Sequence, residues 1–180
     1  MKYASMVFQT LVLLYLSSLL FFLLTGYAPA APGYHPPFVI FVIDTINLFI
    51  HEAGHFFLKP LGMWIHIMGG SLFQVLVPTT LLVVTWRQNA GQIVYPGFWL
   101  GENLVNVSAY IRDAPYRQLK LIARGLIHDW NWLLSGNLEM AEQIADVAFA
   151  LGLLVCAASL TSGGYWAVQK IRGIADSHGN

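Results

Sequence analysis

Residues 7–27 form an uncharged run of about 20 residues, the length needed to cross the hydrocarbon core of a bilayer as a helix. A chain that places such a run in lipid must satisfy its backbone polar groups within the segment, which forces a helix there. The rest of the composition extends the constraint. Charged residues make up 10% and hydrophobic residues 57% of the 180-residue chain, whereas soluble domains are about 25% charged. Much of the surface must therefore face lipid. No repeat period or low-complexity linker divides the chain, so residues 1–180 read as a single integral membrane domain. Net charge is zero and no basic block occurs, so nucleic acid is not an expected partner. The single cysteine, Cys156, excludes an internal disulfide and a Cys-rich zinc site.

The pattern predicts an all-α bundle of about five transmembrane helices. The first is 7–27. A cleaved signal peptide is the competing reading, because Ala28-Pro29-Ala30 resembles a cleavage site; the length of the apolar core and Pro29 itself favour a retained helix. Four prolines make 28–37 an extended loop. The second span is Phe38–Leu58, ended by Lys59-Pro60. Residues 61–71 are apolar but carry Gly62, Gly69 and Gly70, and read as a short re-entrant or strand-like segment. The third span, 72–86, contains Pro78 and is expected to kink. The fourth, 93–111, bears a stripe of Trp99, Glu102, Asn103, Asn106 and Tyr110 at helical spacing, and a Gly97/Gly101 pair that permits close helix approach. Such a stripe is costly against lipid, so it is expected to meet the second span. The last span is 144–166.

The second span carries His51-Glu52-Ala53-Gly54-His55, the pattern H-E-x-x-H. Residues four apart share a helix face, so His51 and His55 can offer two imidazoles to one metal ion. Glu52 adjoins them without having to ligate and can take a proton from an attacking water. Ionisable groups inside a membrane segment point to function by default. Asp44 and Asn47 continue the same face as partners of the ligands or as helix–helix hydrogen bonds. A catalytic zinc needs a third protein ligand. His128-Asp129, flanked by Trp130 and Trp132, is the expected source, both residues being candidates; Asp113 and Glu102 are the alternatives. A purely structural reading competes, with Asp129 as a helix N-cap and His128 at the membrane interface.

Charge orients the chain. With five spans and a cytoplasmic N-terminus, Lys2, Lys59, Arg112, Arg117, Lys120 and Arg124 fall inside, and Arg87, Lys170 and Arg172 outside: six against three. This threading puts the end of the motif helix and the His128-Asp129 segment on one side, the cytoplasmic one.

An apolar multi-span chain with His-Glu-Ala-Gly-His in a membrane helix, a glycine-broken segment after it and a later aspartate resembles the M50 class, the site-2-protease-like intramembrane zinc metallopeptidases. The resemblance is close over the motif and its flanks and is one of layout elsewhere. It implies that His51, His55 and an aspartate bind Zn2+ and that Glu52 activates water. The class aspartate usually stands in Leu-Asp-Gly, which this sequence lacks; Asp129 in His128-Asp129-Trp130 occupies the comparable place. The expected activity is hydrolysis of a peptide bond in or near a transmembrane segment of a membrane-protein substrate. Asn103 or Asn106 is the expected oxyanion donor, and Gly69-Gly70-Ser71 the place to hold an unwound strand. The alternative is a non-catalytic metal-binding subunit or scaffold of a larger membrane complex. A di-iron oxidase or desaturase needs more histidines than the six present.

Overall fold

A computed structural model describes residues 2–119 and 126–176. Six α-helices follow in order: α1 (Lys2–Thr25), α2 (Phe38–Leu58), α3 (Met63–Gln88), α4 (Val94–Arg112), the short α5 (Asp129–Leu133) and α6 (Ala141–Asp176). Four of them, α1, α2, α3 and α6, are long and apolar enough to cross a membrane. No strand occurs among the described residues.

Several polar side chains are turned inward and many large apolar ones outward, the arrangement expected of a chain in lipid. Asn47, Glu102 and Asn103 are wholly buried, whereas Phe38 is 77% and Phe56 75% exposed. α4 falls outside the four apolar spans because it is the axis of the bundle. It packs on α6 most extensively, then on α3, and along its polar stripe on α2. The α4–α6 seam is a backbone contact: a Cβ on Gly152 would lie 2.7 Å from the Gly101 carbonyl oxygen, and one on Gly101 would lie 2.5 Å from Cys156 Sγ. Small residues are what allow membrane helices this approach.

The strand-like segment expected over 61–71 is not formed. A 3-10 turn, Lys59–Leu61, ends α2, and Gly62 (φ 95°) turns the chain straight into α3. Gly69 and Gly70 lie inside that helix and are buried. They are packing glycines: a Cβ on Gly54 would collide with the Gly69 carbonyl, and one on Gly69 would lie 2.8 Å from the Gly54 carbonyl oxygen. A helical glycine costs about 1 kcal/mol against alanine; close α2–α3 contact offsets it. Buried in that seam, Gly69-Gly70-Ser71 has no free edge for a substrate strand. Pro78 also sits within α3 without ending it.

Candidate metal centre

The α2–α3 hairpin brings the motif helix against the first turns of α3 and fixes His55. His55 Nδ1–H donates to the His66 carbonyl at 2.7 Å, and His66 Nδ1–H returns a bond to the His55 carbonyl at 2.9 Å. A carbonyl only accepts, so the proton of His55 is held on Nδ1 and Nε2 is left for a metal. His51 is 7% exposed and makes the corresponding bond from Nδ1–H to Gln74 Oε1, at 2.7 Å. Its ring fills a space that only glycine leaves at position 70, since a Cβ there would run into the imidazole.

Asp129 comes from the head of α5. Its Oδ2 lies 2.8 Å from His51 Nε2 and 3.1 Å from His55 Nε2. The segment carrying it is tied down at three successive residues. Asp129 N–H donates to Tyr110 Oη (3.2 Å), Trp130 Nε1–H to Ser71 Oγ (3.0 Å), and Asn131 Nδ2–H to the Ala114 carbonyl (2.8 Å). Burial would raise the Asp129 carboxyl, but hydrogen bonds and charge from the two imidazoles outweigh it and hold the group below its ordinary value. His51, His55 and Asp129 thus form a group able to hold a metal ion, their ligand atoms all within 4.8 Å of one another. Two imidazole nitrogens and one carboxylate oxygen suit a first-row divalent ion.

The other candidates lie elsewhere. His128 stands beside Asp129 in sequence but outside this group. Its Nε2–H donates to Asp113 Oδ2 at 3.2 Å, and its Nδ1 accepts from Asn131 N–H at 3.3 Å, capping α5. Asp113 also accepts the backbone N–H groups of Gln118 and Leu119, which fixes the chain beyond α4. Glu102 is wholly buried and accepts from Asn47 Nδ2–H at 2.8 Å. Lys120 and Arg124 of the charged stretch fall outside the described residues.

A cavity of about 580 Å³ opens over the centre. Glu52, half-buried, lines it beside His51 and His55; Leu48, Ile67 and Ile127 give it apolar walls, and Asp44, Tyr27 and Asn106 close its far end. Asn106 commits its amide protons to Tyr27 and Asp44 and offers none to a substrate. Asn103 does not line the cavity, and its Nδ2–H goes to the Trp99 carbonyl.

Sequence reasoning passed over Gln74, the residue on His51. The available signal was an amide alone in the otherwise apolar stretch 72–78, a costly placement unless something uses it.

Comparison with family models, curated proteins and solved structures yields no match to this chain.

Proposed function

We propose that the protein is an intramembrane zinc metallopeptidase of the kind the M50 class represents. The observation that carries this reading is Asp129 Oδ2 standing between the Nε2 atoms of His51 and His55, with Glu52 in the same cavity and outside the ligand set. In a tetrahedral zinc site with bonds of about 2.0–2.1 Å, ligand atoms stand about 3.3 Å apart. The 2.8 and 3.1 Å separations from Asp129 Oδ2 are near that edge, and all three ligand atoms lie within 4.8 Å of one another. Three protein ligands leave a fourth position for water, the pattern of a catalytic rather than a structural zinc.

Zinc, when bound, supplies Lewis acidity that makes a water ionisable near pH 7 and polarises the scissile carbonyl. The chain supplies the proton transfers and the positioning. Glu52 takes a proton from the attacking water as its oxygen bonds to the carbonyl carbon. It then delivers that proton to the amide nitrogen as the C–N bond breaks. His66 and Gln74 hold the two imidazoles in orientation, and the apolar walls limit bulk water.

The α2 face lining the cavity runs from Asp44 to His55, about 16 Å at 1.5 Å per residue. That matches about five residues of extended chain at 3.3 Å each. We read the substrate as a membrane protein whose transmembrane segment, or the chain next to it, is unwound over a few residues, a length the cavity can take. The site faces the cytoplasmic side in the six-to-three charge threading.

The test is zinc content and peptide cleavage in the wild type and in Glu52→Gln, side by side. Full zinc with no cleavage in the variant is the expected result. Loss of zinc in a folded variant would make Glu52 a ligand; a cellular function unaltered by the substitution would point to the scaffold role instead.

A further inference from the structure

His51 and His55 are held in different ways. One backbone carbonyl settles His55, whereas His51 is held at the end of a chain of side chains. His51 Nδ1 meets Gln74 Oε1 at 2.7 Å, and Gln74 Nε2–H donates to Asn106 Oδ1 at 2.9 Å. Asn106 Nδ2–H donates to Asp44 Oδ1 and to Tyr27 Oη, each at 2.8 Å. Tyr27 Oη–H donates to the same Asp44 oxygen at 2.9 Å.

A primary amide has its acceptor on one side and its donors on the other, so turning one link round forces the next to turn. Gln74 and Asn106 could, taken alone, point either way. Asp44 removes the choice, because Oδ1 takes two hydrogen bonds and gives none. Asn106 must then aim Nδ2 at Asp44 and Oδ1 at Gln74. Gln74 must aim Nε2 at Asn106 and Oε1 at His51. The direction reaches His51 as an acceptor, which keeps a proton on Nδ1 and frees Nε2 for the metal. The reverse direction would bring the Gln74 NH2 group to Nδ1 and leave the proton on Nε2, where it blocks ligation. Asn47 is set the same way, between the donor Trp99 Nε1–H and the acceptor Glu102.

We propose that Asp44 is a positioning residue that sets the His51 tautomer through Asn106 and Gln74, and thereby the affinity of the metal centre. Its place seven residues before His51 puts it two helical turns, about 10 Å, along α2. This inference rests on the metal-binding part of the function above and not on hydrolysis.

The experiment measures zinc affinity of the purified, metal-free full chain by chelator competition. Replacing a partner of a ligating histidine typically weakens binding 10- to 100-fold. Asp44→Leu, which leaves the chain without a fixed direction, is expected to do so although it touches no ligand. Adding Asn106→Asp to it moves an acceptor-only carboxylate one link along. Gln74 Nε2–H must again point away from His51, so the double variant should return to within about threefold of wild type, by the same reasoning. A residue needed only for packing would not be rescued by a second substitution. Should Asp44→Leu fail to fold, Asn106→Leu against Asn106→Asp asks the same question: the leucine should weaken zinc binding and the aspartate keep it. Wild-type affinity in Asp44→Leu, or in Asn106→Leu, overturns the relay alone, as does a double variant no tighter than Asp44→Leu. A wild-type chain that takes up no zinc overturns the relay and the metal reading together.

Discussion

Replacing Gly70 with alanine should damage the metal centre far more than the fold. A Cβ at that position would lie 2.5 Å from His51 Cε1 and 2.6 Å from Cδ2, whereas carbon atoms in contact prefer about 3.5–4.0 Å. The ring must retreat by about 1 Å, five times the roughly 0.2 Å tolerance of a metal–ligand distance. Overpacking of this kind costs about 1–3 kcal/mol. For the fold, alanine's helix propensity returns about 1 kcal/mol, so net destabilisation is small, about 0–2 kcal/mol by difference. The metal has no such compensation. Directed at a ligand, the same 1–3 kcal/mol corresponds to about a 5- to 150-fold loss of zinc affinity. Chelator competition for zinc and thermal unfolding of the metal-free chain separate the two effects. Wild-type affinity in a folded Gly70→Ala chain would refute the placement of the His51 ring over Gly70.

Gly54→Ala drives a Cβ into the Gly69 carbonyl, backbone that cannot swing aside, and should lower thermal stability by more than about 3 kcal/mol, the upper range of overpacking. Gly164→Ala, with nothing within 4 Å of its Cβ, should be neutral or stabilise by up to about 1 kcal/mol in the same melt. Asp129→Asn should remove most zinc affinity, while His128→Gln should alter it severalfold at most, through loss of the bond to Asp113; equal losses on titration would place His128 in the centre. Because Cys156 is buried, single cysteines at Ala31 and Tyr116, both exposed, can be labelled selectively. Tyr116→Cys should react from the cytoplasmic side and Ala31→Cys from the other, and labelling of both from one side would remove the topology.

The features legible in the sequence were those that lipid makes expensive. His51 and His55 stood out in an apolar run, and the stripe from Trp99 to Tyr110 had to face inward, where it meets Asn47 and Asp44 on α2. Of the glycines in 61–71, Gly62 does turn the chain, but Gly69 and Gly70 lie inside α3; composition cannot distinguish a glycine that breaks a helix from one that lets two helices touch. Gly54, a few residues earlier, was the missing half of that contact. The choice between Asp129 and His128 was also closed to sequence, since adjacent residues at a helix start point in different directions. Capping claims His128, and Asp129 is left facing the imidazoles. Hydrogen-bond direction, as in the path from Asp44 to His51, becomes visible only when each partner is known.

X-ray absorption at the zinc edge of the purified chain, with metal quantified per polypeptide, tests the centre most directly. About one zinc per chain is expected, bound by two imidazole nitrogens and a carboxylate oxygen at about 2.0–2.2 Å, with the oxygen contribution altered in Asp129→Asn. A chain that purifies folded without zinc, or a zinc spectrum unchanged by Asp129→Asn and by His51→Ala, would contradict the assignment of His51, His55 and Asp129.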